Sequence, residues 1–237
     1  MLLDVRDLHA HYGKSHILHG VSLHVDAGEI VCVLGRNGVG KSTTLKSVMG
    51  MVPPSRGAVT FKGRDIGGWP PYRAARLGLG YVPEERRIFP TITVKENLLM
   101  GVKTRGGTGA NGHGWTPERI YEFFPRLRER ERQRAGTLSG GEQQMLTIGR
   151  TLMGNPDLLL VDEPTEGLAP MIVEQVERIL SEIHRAGTPI LLVEQSMETA
   201  LALAHRVYVM SKGQIVFTGS VKDLEANAGV RTQYLEV

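Results

Sequence analysis

The sequence predicts an α/β fold in which a mostly parallel sheet is flanked by helices and interrupted by a helical insertion. Three observations predict it. Short continuous apolar runs, "IVCVLG", "LLLV" and "ILLV", read as strands buried on both faces. The first of them feeds directly into a glycine-rich turn, "GRNGVGKST", and then into helix-forming sequence. Between about Glu84 and Met153 the signals are helical, without a clear buried strand.

Taken in order, "VSLHV" alternates like a half-buried strand, "IVCVLG" is a buried one, and "AVTFKG" alternates again. "TVKENLLM" opens with Thr93 and Glu96 at capping-box spacing, which starts a helix. Glycines at 101, 106, 107, 109, 112 and 114 predict a flexible loop, with Trp115 at its end placed to pack locally or to meet a partner. The charge-alternating "RLRERERQR" reads as a solvated helix face. Ile172, Val176, Ile179 and Ile183 recur at helical spacing, and that helix ends near Gly187-Thr188-Pro189. "ILLV" follows as a strand, and Ser220 with Asp223 marks a last helix start. Buried strands separated by helices require crossovers and hence parallel pairing. A single domain over residues 1–237 is expected, with an α/β core from 1–83 and 154–237 and a helical subdomain over about 84–153.

Composition narrows the class. The 237 residues are 41% hydrophobic, enough for a sizeable core, yet no run approaches the length of a membrane span. Asp4, Arg6 and Asp7 fall where a signal peptide needs an apolar stretch. Cys32 is the only cysteine, which excludes an internal disulfide and suits a reducing compartment. A net charge of +3 is too mild to indicate nucleic acid. The eight histidines, among them His9, His11, His16 and His19, lack the cysteines or acidic residues that would complete a metal site.

The chemistry concentrates at two strand ends. Gly35, Arg36, Asn37, Gly38, Val39, Gly40, Lys41, Ser42 and Thr43 carry the G-x-x-x-x-G-K-[ST] phosphate loop. Amides freed of Cβ crowding wrap phosphates, Lys41 neutralises their charge, and the Ser42 hydroxyl is a Mg²⁺ ligand. "LLLVDEP" adds Asp162 as a second metal contact and Glu163 to polarise the attacking water. Tyr12 is a candidate platform for a base. "TLSGGEQQM" supplies a second anion grip: Ser139, Gly140 and Gly141 open onto a helix.

"GRNGVGKST", "LSGGEQQ" and "LVDEPTEGL", in this order, resemble the ATP-binding subunits of ABC transporters, over nearly the whole chain. The resemblance implies a P-loop NTPase (RecA-like) core with an N-terminal antiparallel β subdomain and a helical insertion. It implies ATP and Mg²⁺, and a head-to-tail dimer in which Ser139-Gly140-Gly141 close over ATP held by the partner's phosphate loop. "YVPEERRIFPTITVKENLLMG", "RAGTLSGGEQQMLTIGRTLM", "EGLAP" and "LLVEQS" narrow it to something similar to the LivF-type ATPase of branched-chain amino-acid importers, with urea and short-chain amide importers second.

That resemblance implies a second, homologous ATPase subunit, two membrane permeases, indirectly a periplasmic binding protein, and no nucleic acid. It places the chain peripherally on the cytoplasmic face of the inner membrane. Two positions depart from the general pattern: Glu84 stands where most such ATPases carry the Mg²⁺-sensing glutamine, and Gln195 where most carry a histidine at the γ-phosphate. Both changes resemble the branched-chain subfamily. Gln195 donates a hydrogen bond but carries no charge. If the partner supplies a histidine, the two composite sites are unequal. The other classes considered are a soluble ABC ATPase and a regulatory ATP-binding subunit. Arg86, Arg87, Ile88, Phe89 and Pro90 combine charge with apolar anchors, as an interface centre does, and are expected to line a groove for a permease helix; the alternative buries Ile88 and Phe89 in the insertion's own core.

Overall fold

The structure, a computed structural model, describes residues 1–103 and 114–235. The chain opens with strands β1 (Leu3–Tyr12), β2 (Ser15–Val25) and β3 (Ile30–Leu34), then helix α1 (Lys41–Val48), strands β4 (Arg56–Phe61) and β5 (Arg64–Asp65), helix α2 (Pro71–Leu77) and strand β6 (Leu79–Val82). Four helices follow: α3 (Val94–Leu99), α4 (Pro117–Phe123), α5 (Pro125–Glu129) and α6 (Gly140–Leu152). The second half alternates: β7 (Leu158–Asp162), α7 (Pro170–Arg185), β8 (Ile190–Glu194), α8 (Met197–Leu203), β9 (Arg206–Ser211), β10 (Gln214–Ser220) and α9 (Val221–Ala226).

Two sheets result. An antiparallel one runs in the order β2-β1-β4-β5. The larger runs β10-β9-β3-β8-β7-β6, parallel except where β10 returns beside β9. The period of two along its buried strands divides the core. Val31, Val33, Leu158, Leu160, Leu191 and Val193 face α1 and the antiparallel sheet. Ile30, Cys32, Leu159, Val161, Ile190 and Leu192 face the helices on the other side. With both faces covered, the parallel strands read as unbroken apolar runs.

Helix α7 buries Val176, Ile179, Leu180 and Ile183, each contributing about 1.5–3 kcal/mol by leaving water. The Thr93–Glu96 and Ser220–Asp223 capping boxes both form. The run "RLRERERQR" departs from expectation. Only its first part is helical, as α5, and the chain then turns so that Thr93 bridges Arg134. Arg130 turns inward to Glu142, at 2.9 Å, which a continuous solvated face would not allow. The expected flexible loop lies mainly at 104–113, outside the described residues. Trp115 is buried, packed edge-on against Phe123 at 4.9 Å beneath the Arg119 guanidinium, with its amide donating to Asn155.

Candidate functional site

The strand order brings the catalytic candidates together. β3 ends at the phosphate loop, and β7 and β8 lie beside it in parallel register, so Leu34, Glu194 and Asp162 finish at one edge of the sheet. Ligands of open parallel sheets sit at this edge.

The loop Gly35–Gly40 is braced on two sides. The amide of Gly213, in the β9–β10 turn, donates to Val39 O at 2.9 Å, and Leu18 of β2 packs at Gly40. Gly40 has φ of 112°, which L side chains rarely adopt, and a Cβ there would also press on Leu18. Helix α1 then begins at Lys41 with no side-chain cap. Its first amides point into the loop, the arrangement that binds anions.

Lys41 is buried, and all three of its ammonium donors are used: on Gly35 O at 2.9 Å, Arg36 O at 3.0 Å and Glu163 Oε1 at 2.8 Å. Glu163 stands just past β7 in a left-handed conformation, φ 42°, with its amide donating to Val193 O. For a residue with a side chain that conformation is uncommon and points to local constraint.

Asp162 is buried with unequal oxygens. Oδ2 accepts from the Tyr81 hydroxyl at 2.8 Å, whereas Oδ1 has no hydrogen-bond partner of good geometry among the described residues. Burial raises its pKa, opposed by the Tyr81 and Ser42 hydroxyls and the Lys46 ammonium. Burial and the adjacent Asp162 charge push the Tyr81 hydroxyl far above its usual range, which keeps it a donor. An orphaned, buried carboxylate oxygen beside the Ser42 hydroxyl is an oxygen-donor set that fits Mg²⁺.

Glu84 is exposed and lines a small cleft with Lys46, Tyr81 and Asp162. Glu166 joins it to Glu163: hydrogen bonding to Glu163, burial and the charges of Glu163 and Glu84 raise the Glu166 pKa to about 7. Gln195 is exposed and borders a cleft of about 470 Å³ together with Glu163, Glu166 and Glu194.

Three functional candidates were not singled out by sequence reasoning. Tyr81 holds Asp162. Glu194 is buried, accepts from Thr165 Oγ1 at 2.8 Å and from the amides of Gln195 and Ser196, and so pins the β8 end to the loop after β7. Burial raises its pKa despite these bonds. Glu166 is the third. A polar residue closing an apolar run ("ILLVE") was the available signal for Glu194, whereas Tyr81 carries none.

Two further expected participants stand on other elements. Tyr12 is half exposed at the tip of the β1–β2 hairpin, paired with Ser15. Ser139 caps α6: its hydroxyl accepts from the Glu142 amide and donates to the Glu142 carboxylate, which also accepts from the Ser139 amide. A Cβ at Gly140 would meet the Arg86 guanidinium, and one at Gly141 would meet Ile172.

Among the described residues, no helix is long and apolar enough to cross a membrane, and no group of three or more His, Cys, Asp or Glu side chains could hold a metal. The buried Asp162 carboxylate with the Ser42 hydroxyl is not such a cluster, and as an oxygen-donor pair it fits a hard cation.

A family model described as ABC transporter matches residues 18–166. The chain is 44% identical over 234 residues to the high-affinity branched-chain amino acid transport ATP-binding protein BraG of Pseudomonas aeruginosa, covering 99% of each. It is 35% identical to the probable branched-chain amino acid transport ATP-binding protein LivF of Archaeoglobus fulgidus, covering 92% of this chain and 91% of that one. Among solved structures it is similar to the ADP conformation of MJ1267, an ATP-binding cassette of an ABC transporter, at a TM-score of 0.83 and 29% identity over 98% of this chain and 97% of that one.

Proposed function

Because the chain belongs to the ABC transporter ATP-binding family, we propose that it is the ATP-hydrolysing subunit of an importer of branched-chain amino acids. The observation that carries this reading is the meeting of Lys41, Glu163 and Asp162 at one sheet edge, in a chain 44% identical to BraG along its whole length. In this reading Gly35–Thr43 cradle the phosphates, and Lys41 exchanges its bond to Glu163 for one to a phosphate oxygen. That exchange frees Glu163 to take a proton from water as the water oxygen attacks the γ-phosphorus and the bond to ADP breaks. Gln195 donates a hydrogen bond toward the γ-phosphate.

Ser42 and the free Oδ1 of Asp162 would hold Mg²⁺, which when bound neutralises charge on the phosphates. Glu84, in the cleft beside Asp162, would reach the same region. Tyr12 would stack on adenine. The hydrolysing unit would be a dimer with a second ABC ATPase subunit, in which Ser139, Gly140 and Gly141 close over the partner's ATP. Two permeases would anchor it to the cytoplasmic face of the membrane and a periplasmic binding protein would deliver substrate.

Reconstitution in vesicles with the two permeases and the binding protein tests the reading. Leucine, isoleucine or valine should stimulate both ATP hydrolysis and uptake. Stimulation by urea or a short-chain amide instead would transfer the assignment to those importers. Hydrolysis that no solute and no permease alters would refute a transport role.

A further inference from the structure

Glu194 closes the apolar strand β8 and is itself only 2% exposed. Both of its oxygens are engaged. Oε1 accepts from the Thr165 hydroxyl at 2.8 Å. Oε2 accepts from the amide of Gln195 at 3.0 Å and from that of Ser196 at 3.4 Å. A buried carboxylate needs such bonds, and here they fall on the backbone of the next two residues. The strand register shows what that backbone serves. Glu194 pairs with Leu34, one residue before the phosphate loop begins at Gly35. On the other side Val193 pairs with Asp162, and its carbonyl accepts from the Glu163 amide at 3.0 Å. Gln195 therefore leaves the sheet between the phosphate loop and the loop bearing Glu163, and it borders the cleft that Glu163 also lines. Its side chain is exposed, long and unbranched, so where its amide points depends on a fixed backbone.

We propose that Glu194 is a positioning residue, which holds the Gln195 backbone so that the Gln195 amide meets the γ-phosphate. This rests on the reading above, in which Gln195 donates to that phosphate. The need for it follows from the chemistry of the donor. An imidazolium carries a charge that attracts phosphate from any nearby direction. A neutral amide acts only along its N–H bonds, and a hydrogen bond weakens steeply as its angle falls. A chain with glutamine at this position depends on aim. Glu194 supplies it by gathering two successive amides on one oxygen, while Thr165 steadies the carboxylate through the other.

Steady-state hydrolysis of ATP with Mg²⁺ by the full chain tests this as a double-mutant cycle. Gln195→Ala removes the donor and should lower kcat about 10²-fold, the low end for a donor that stabilises developing charge. Glu194→Leu should lower kcat about tenfold with KM unchanged, within the range for residues that touch. In the Gln195→Ala background the same change should cost less than about twofold, because a residue that acts only through another adds nothing once that one is gone. Glu194→Gln can accept from both amides and donate to Thr165, so it should restore most of what Glu194→Leu loses. Thr165→Val removes one hydroxyl and should show the same pattern at smaller size, which carries the test if Glu194→Leu does not fold. Equal falls in both backgrounds, or a raised KM with kcat intact, would make Glu194 a packing residue and overturn the proposal. Parent-like rates in Glu194→Leu and Thr165→Val beside a slowed Gln195→Ala would overturn it too, and leave the γ-phosphate reading standing. A parent-like Gln195→Ala would instead sink the reading of Gln195, and the proposal with it.

Discussion

Lys41 Nζ lies 2.8 Å from Glu163 Oε1 with both side chains buried, so the cation of the phosphate loop and the proposed base neutralise each other across two strands. Glu163→Gln keeps an oxygen for Lys41 but cannot accept a proton from water. Hydrolysis should fall roughly 10²–10⁴-fold, the range for a lost general base, with ATP binding retained. Size-exclusion with ATP and Mg²⁺ should then show an accumulated dimer. Hydrolysis at the parent rate would remove Glu163 from the mechanism and direct attention to Glu84.

Tyr81→Phe removes only the hydroxyl that donates to Asp162 Oδ2. A buried carboxylate that loses such a bond costs about 1.5–3 kcal/mol, read as a lower Tm at neutral pH. Because that bond lowers an Asp162 pKa already raised by burial, its loss should move the acid limb of hydrolysis to higher pH. An unmoved limb would mean that Asp162 does not set it.

Ser139→Arg should abolish hydrolysis and leave nucleotide affinity of the monomer intact, since the substitution lies outside residues 35–43. It also removes the α6 cap, at a cost of about 1 kcal/mol. Ser139→Ala, which loses the cap alone, controls for that. Equal loss of affinity and turnover in Ser139→Arg would place the turn in its own subunit's site.

Phe89 is 46% exposed, with its ring 4.9 Å from the Arg150 guanidinium, whereas Ile88 packs on the core. The pair therefore divides between the two expectations. Phe89→Ala should leave basal hydrolysis and Tm near parent values and weaken assembly with the permeases, measured by co-purification. A clear fall in Tm with normal transport would make Phe89 a packing residue.

His16 stacks between His11 at 4.1 Å and His19 at 3.9 Å, with His9 also against it and Asp7, paired to Arg56, beyond His9. Desolvation and the neighbouring rings lower its pKa below the ordinary 6.5. The unfolded chain then takes the proton more readily, so stability is lost as pH falls through the unfolded value toward the folded one. Between about pH 8 and about pH 5, where histidines titrate, His16→Gln should lose less Tm than the parent. Parallel Tm curves would show that the stack does not sense protonation.

Much of this molecule is written locally. "IVCVLG", "LLLV" and "ILLV" are apolar throughout because a parallel strand covered on both faces has no solvent side, and each forms a fully buried strand. The phosphate loop and the capping boxes are equally local, since glycine freedom and a side chain reaching three residues ahead act within one turn. Partners distant in sequence were decided only by the tertiary structure. Tyr81 meets Asp162 because β6 pairs with β7 across an insertion, and Lys41 meets Glu163 because β3 and β7 flank β8. Arg130 turns inward because α6 places Glu142 beside it, although its charged neighbours read as a solvated face. Sequence period reports which side of an element is buried; what it is buried against, and which charge answers which, depends on strand order, and strand order has no local signature.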